Sequence, residues 1–387
     1  MKILILKPSS LGDVVQALPT LRLLKRYLPQ SQIYWWIEST LAPLLEGDPD
    51  LAGVIRFQRQ GWATSRNWVE LRRTIRWMRA QRFDWVIDLQ GLLRSGAIAW
   101  AANGKLLAGL DEPREGARGF YDLIARRPAF HTHAVDWYLR VLPMLGVPLD
   151  LESSPQPLAN LRRTGSPVSW KAELLSRPSP QTRFAGASLG PQSSTGRALE
   201  FAWLPARPEV AAAIRRKWPV DKHRWLLVQP GARWLNKRWP VEHYAELIRL
   251  LAKNYPEARF AILGASGDRP LGERLAEAGG ARCLDLTGKL SLAEMVEWIR
   301  AGELMVTNDT GPMHVAAALE KPLVALFGPT EPRRTGPYGQ LQNALQLDLP
   351  CVPCLKPRCS WVRQFECLRA LSPSAVLAAV QRQLPAL

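Results

Sequence analysis

The sequence predicts an α/β protein made of two doubly wound parallel-sheet domains that face each other across a cleft. Three observations lead there. Short apolar runs alternate with amphipathic helical stretches through residues 1–151, and the same alternation returns over 211–387. Between them, residues 152–210 lose the rhythm and are rich in Pro, Ser and Gly. Polar turns containing glycine or proline follow several of the apolar runs. A βαβ rhythm of this kind calls for a parallel sheet covered by helices on both faces.

In chain order, Ile3 to Leu6 reads as a strand, Val14 to Tyr27 as a helix and Ile33 to Ile37 as a second strand. Trp68 to Ala80 has helical spacing, and Trp85 to Leu89 is a buried strand. The connector carries Ser153-Ser-Pro-Gln-Pro157 and Arg177-Pro-Ser-Pro180, turn formers that suit a linker or insertion. In the second half Trp225 to Val228 and Phe260 to Leu263 read as strands. Val241 to Tyr255, Leu271 to Ala278 and Leu292 to Ala301 read as helices. A strand ending at Asn308, a short helix from Gly311 and a strand over Pro322–Phe327 complete the series. The last helix is a candidate to pack back on the N-terminal domain. Open α/β sheets bind ligands at the carboxyl ends of their strands, so the turns there hold the candidate site.

Composition narrows the partner. Of 387 residues, 51 are Lys or Arg and 34 Asp or Glu, a net charge of +17 that implies an anionic partner. No block of five like charges marks a nucleic-acid tail, and no apolar run approaches the ~20 residues that span a bilayer. The opening Met1–Lys7 is too short for a signal peptide, so a cytoplasmic location is expected. Sixteen tryptophans, several beside arginines, suit a membrane interface, although most tryptophans serve a core.

Three polar clusters carry the chemistry. In Asp309-Thr-Gly-Pro-Met-His314, Gly311 and Pro312 begin a helix whose open amides and dipole favour an anion. Asp309 and Thr310 could equally do no more than cap it. Lys7-Pro-Ser-Ser-Leu-Gly-Asp13 leaves the first strand, with Ser10 and Gly12 in a loop of close approach. Asp13 stands where either an N-cap or a general base at the mouth of the cleft would stand. The loop matches neither a dinucleotide fingerprint nor a P-loop. Gly231-Ala-Arg233 and Lys237-Arg238 suit an anion clamp or simply a solvated loop. Ser266, Asp268 and the turn Thr287 to Leu290 supply further groups at the same sheet edge.

Together with Phe83 to Ser95, His133 to Leu139 and Ala325-Leu-Phe-Gly-Pro-Thr330, these segments resemble the bacterial heptosyltransferases, which move heptose from an ADP-sugar to the lipopolysaccharide inner core. The resemblance covers nearly the whole chain outside the connector. It implies a two-domain GT-B fold and inverting transfer needing no metal or other cofactor. Carried onto this sequence, Asp13 is the general base and Lys237 holds the diphosphate or sugar of the donor. Asp309, Thr310 and Gly311 lie at the donor sugar and phosphates with His314 nearby. Ser10, Gly12 and Gly231 belong to the same donor site. Thr287 and Leu290 border the adenine, and Asp268 or Ser266 meets the ribose. Gly231-Ala-Arg233 lacks the hydroxyl residues that some members carry. The partners implied are ADP-heptose and an anionic lipid-linked saccharide at the inner leaflet, with no nucleic acid. The same fold would also serve another nucleotide sugar or acceptor, and a basic nucleic-acid-binding protein is the reading from another class.

Two acidic and thiol patterns have other readings. Asp48-Pro-Asp50 has the form of a metal-binding D-x-D but sits in a Gly-Asp-Pro turn and is read as that turn. Cys351, Cys354, Cys359 and Cys367, four of five cysteines, suit either a structural zinc or free packed thiols.

Overall fold

Strands buried on both faces read as unbroken apolar runs, and the central strands here do so. Ile3, Leu4, Ile5 and Leu6 are inaccessible to solvent, as are Leu323 to Phe327. The computed structural model describes residues 1–58, 65–112, 115–149 and 202–384, with the backbone alone at 65–67. The first half runs β1 (Lys2–Leu6), α1 (Leu11–Tyr27), β2 (Gln32–Glu38), β3 (Gly53–Phe57), α2 (Ser65–Gln81), β4 (Trp85–Asp88), α3 (Leu93–Ala101), β5 (Leu106–Leu110) and β6 (Leu123–Ala125). Two short helices follow, α4 (Ala134–Leu139) and α5 (Val141–Met144). The second half begins with α6 (Pro208–Lys217), β7 (Arg224–Gln229), α7 (Val241–Asn254), β8 (Ala258–Ile262), α8 (Arg269–Gly279), β9 (Cys283–Asp285) and α9 (Leu292–Ala301). It ends with β10 (Leu304–Asn308), α10 (Gly311–Ala318), β11 (Leu323–Phe327), α11 (Pro332–Thr335), β12 (Ala344–Gln346), α12 (Glu366–Arg369) and α13 (Pro373–Gln383).

Each half is a six-stranded sheet, ordered β3-β2-β1-β4-β5-β6 and β12-β11-β10-β7-β8-β9, and every pairing is parallel. Both orders are the doubly wound 3-2-1-4-5-6 arrangement, which reverses between its first and fourth strands. The reversal brings Leu6 beside Asp88 in one sheet and Gln229 beside Thr307 in the other. Polar residues leaving those four strands therefore meet at a crevice in each half.

The halves face each other through α1 and α10, which pack together. Val14, Val15 and Leu18 of α1 share one buried cluster with Met313, Val315 and Ala316 of α10. On the other side of the first sheet, α2 and α3 cover a core drawn from first-half residues, among them Met78, Val86 and Ile98.

Of the expected connector, 152–201 lies outside the described residues. Its last part is firmly placed: Trp203 and Leu204 are buried, and α6 starts at Pro208. Three arginines fasten this stretch. Arg22 donates to the Trp203 carbonyl, Arg207 to the carbonyls of Pro43 and Leu44, and Arg300 to those of Leu204 and Pro205. Arg22 also pairs with both Asp48 and Asp50, and Asp48 accepts the Asp50 amide, so this D-x-D closes its own turn around a guanidinium. The last helix departs from one expectation. α13 packs on α7, β10 and β11 of the second half, because Val376, Ala379 and Val380 complete the core beneath that sheet.

Candidate active site

The loop after β1 places Asp13 at the third residue of α1, where a carboxylate can reach back to the first turn. Asp13 Oδ2 accepts from the Ser10 amide at 3.0 Å and from its hydroxyl at 2.7 Å. That is the capping role. Its other oxygen accepts from Tyr138 at 3.2 Å and lies 3.9 Å from the Lys7 ammonium. The side chain keeps 39% of its exposure, so it caps the helix and still faces the cleft. Burial would raise the Asp13 carboxyl, but Lys7 and the Ser10 hydrogen bonds outweigh it and hold it below its ordinary value. Burial pushes Tyr138 well above the usual phenol range, which keeps it a neutral donor. Lys7 is 2% exposed, donates to the Leu89 carbonyl at 2.9 Å and lies over the Tyr138 ring.

Opposite stands the turn after β10. Thr310 occupies the N-cap position of α10, yet its side chain makes no capping bond. Asp309 does not cap either. Its Oδ2 accepts from Lys237 and from Thr330, both at 2.6 Å, and the residue is 6% exposed. Among the described residues the amides of Thr310 and Gly311 find no hydrogen-bond acceptor. An uncapped helix start with open amides is an anion site rather than a capped end. Lys237 comes from the loop after β7 and lies 4.8 Å from the centre of the Trp234 ring. Asn308 fixes that loop: its Nδ2 donates to the Pro230 carbonyl at 2.7 Å, and its Oδ1 accepts the Trp239 amide at 3.1 Å.

Two glycines let the helix starts meet. A Cβ on Gly12 would stand 2.3 Å from His314 Cδ2, and one on Gly311 would stand 2.8 Å from Leu11 Cδ2. His314 is buried, which lowers its basicity despite Asp309 and Asp13, so it is neutral at neutral pH. Asp13, His314, Asp309 and Lys237 therefore form one constellation across the cleft.

The remaining predicted residues form a second group at the ends of β7, β8 and β9. A Cβ on Gly231 would meet Asp268 Oδ2 at 2.3 Å, and one on Gly288 would meet the Ser266 backbone at 2.8 Å. Asp268 accepts the Ala265 amide at 3.0 Å and faces Arg238 at 3.6 Å, leaving Ser266 as the exposed group of that loop. Thr287 is buried against Asp285, and Leu290 is half-buried beside it in chain order. All five cysteines are free thiols. Among the described residues no group of three or more His, Cys, Asp or Glu is arranged to hold a metal ion, so the four cysteines do not form a zinc site as placed.

A family model described as glycosyltransferase family 9 (heptosyltransferase) matches residues 71–166 and 197–363. Lipopolysaccharide heptosyltransferase 1 of Pseudomonas aeruginosa is 30% identical over 368 residues, which is 93% of this chain and 88% of that one. The chain belongs to glycosyltransferase family 9, the heptosyltransferases. Lipopolysaccharide heptosyltransferase 1 of Escherichia coli K12 is 26% identical over 88% of this chain and 92% of its own. The fold agrees: E. coli heptosyltransferase WaaC with ADP superposes with a TM-score of 0.68 at 24% identity, covering 99% of this chain and 100% of that one. E. coli ADP-heptose lps heptosyltransferase II gives 0.69 at 22% identity over 99% and 98%.

In this heptosyltransferase, four residues that the sequence left without a role complete the constellation: Lys7, Tyr138, Asn308 and Thr330. Each leaves a strand end or a quoted segment, and that position was the available signal. The close approach of α1 and α10 has a measurable consequence. Gly12→Ala is expected to lower stability in urea unfolding by about 1–3 kcal/mol, the range for overpacking. Adding His314→Ala should restore most of it, because the ring is what the new methyl meets. A Gly12→Ala protein as stable as the parent would show that the helix starts separate freely.

Proposed function

We propose that this glycosyltransferase moves heptose from ADP-heptose to the lipopolysaccharide inner core with inversion, using Asp13 as general base and no metal or other cofactor. The observation that carries the reading is the constellation itself: an ionised carboxylate on one domain faces a lysine and an uncapped helix start on the other. The acceptor and the sugar follow the names of the relatives, lipopolysaccharide heptosyltransferases of P. aeruginosa and E. coli, and the ADP-heptose donor follows the name of the similar E. coli ADP-heptose lps heptosyltransferase II. Among the described residues no helix is long and apolar enough to cross a membrane, and we place the enzyme at the cytoplasmic face, where it meets a lipid-linked acceptor.

In the reaction, the acceptor hydroxyl oxygen attacks the anomeric carbon of the donor. The bond from that carbon to the diphosphate breaks, and its electron pair leaves with ADP. Asp13 Oδ1, on the side away from Ser10, takes the acceptor proton. Positioned bases of this kind contribute roughly 10²–10⁴-fold. Lys237 and the amides of Thr310 and Gly311 stabilise the departing negative charge. Thr330 holds Asp309, and Asp309 holds Lys237, so the cation is aimed before the donor arrives. The turn at Thr287 to Leu290 borders the adenine, and of the two ribose candidates, Asp268 and Ser266, the exposed Ser266 is the one left open to meet it.

Two measurements test the assignment. Asp13→Asn is expected to lower transfer by at least ~10²-fold while calorimetric ADP affinity stays nearly unchanged. A residual rate above about one-tenth would reduce Asp13 to a capping residue. The second test is the pH profile. Lys7 is the chief influence holding the Asp13 carboxyl down against burial. Lys7→Met therefore leaves burial unopposed by that cation, Asp13 protonates at higher pH, and the acid limb of kcat/KM moves upward. An unmoved limb would separate Asp13 from the essential ionisation.

A further inference from the structure

The geometry points to the outer face of the first domain, formed by α2 and α3, as the surface on which the enzyme docks to an anionic phospholipid bilayer. On α2 the residues Leu71, Thr74, Ile75 and Met78 turn toward the sheet, with Met78 fully buried. The opposite arc carries Arg72, Arg73, Arg76 and Arg79, all exposed. None of these four pairs with a carboxylate among the described residues. By the 3.6-residue period, Trp68 falls at one rim of that arc and Trp77 at the other. Trp68 is 54% exposed, while Trp77 rests its edge on Tyr34 and stays accessible.

α3 lies beside α2 on the same side of the sheet and adds exposed Leu93, Arg94 and Trp100, the last 58% exposed. A solvated basic helix has no use for large apolar side chains between its cations. An amphipathic surface of arginines flanked by tryptophans and aliphatics matches an acidic headgroup layer, where cations meet phosphates and indoles sit at the boundary. Nucleic acid would satisfy the arginines but leave Leu93 of α3 and Val69 of α2, both exposed, wet. The core beneath α2 and α3 is drawn from first-half residues, so this face belongs to the first domain, and the four arginines of α2 are none of the cleft residues named above. It deepens the proposed use of a lipid-linked acceptor, and its test reads binding without any transfer.

Full-length protein is floated with phosphatidylglycerol vesicles and with phosphatidylcholine vesicles at low and high salt. The wild type is expected to bind the anionic vesicles, to release at high salt, and to ignore the zwitterionic ones. The Arg72→Gln/Arg73→Gln/Arg76→Gln/Arg79→Gln variant keeps helix propensity and should bind anionic vesicles at least about tenfold more weakly. Its transfer to a delipidated, water-soluble acceptor should stay at the parent rate, which separates this inference from the reaction proposed above. Hydrogen exchange over 68–82 should slow on vesicle binding. Wild-type protein that stays unbound at low salt, a variant that binds as the parent does, or a DNA duplex that displaces the protein from vesicles at equal charge would overturn the proposal.

Discussion

The site depends on one steric fact: the first turns of α1 and α10 touch, and they can touch only through glycine. Gly12 leaves room for the His314 ring, and Gly311 leaves room for Leu11. Each helix follows a strand at the reversal point of its own sheet, so their starts are the places where the two crevices open. Two helix starts brought together are two positive ends of peptide dipoles in one small volume. The chain answers with a carboxylate at each, Asp13 three residues into α1 and Asp309 two residues ahead of α10. The local field then invites further negative charge, and the lysines at positions 7 and 237 strengthen it.

That arrangement needs the domains held in register, and the fold does so with polar links as well as apolar packing. Tyr338 donates to Asp136 at 2.7 Å, and His133 Nε2 lies 3.1 Å from the Gly336 carbonyl. His133 Nδ1 accepts the Val135 amide at 3.2 Å, so Nε2 carries the proton and the ring is neutral. Burial pushes its pKa down to about 3, and the bond therefore persists through the physiological range. Below the cleft, Arg22, Arg207 and Arg300 gather the carbonyls where the chain re-enters the second domain. Breaking one partner of a buried group such as Arg22 with Asp48 strands a charge, which is why such clusters fix geometry better than they add stability.

Much of this was legible because it depends on local pattern. Apolar runs marked most of the central strands, though not β5 with its Leu-Leu-Ala-Gly-Leu run, and the turns after them marked Asp13, Lys237 and Asp309. The edge strands β3, β6, β9 and β12 were not legible, since three to five residues are too few to establish a period. Lys7 and Thr330 sat within segments already singled out, yet their partners lie 6 residues and 21 residues away in sequence. Tyr138 reaches Asp13 across 125 residues. Nor does sequence tell which of two roles a carboxylate plays. For Asp309 the two readings separated only when Thr330 and Lys237 were seen to occupy it. For Asp13 both proved compatible, one oxygen to each.

The most direct measurement is a crystal structure of the enzyme with ADP bound. The β-phosphate is expected at the start of α10, within hydrogen-bond distance of the Thr310 and Gly311 amides and of Lys237 Nζ, with Asp13 across the gap from it. A diphosphate bound away from α10, with those amides still open and Lys237 held by Asp309 alone, would contradict it.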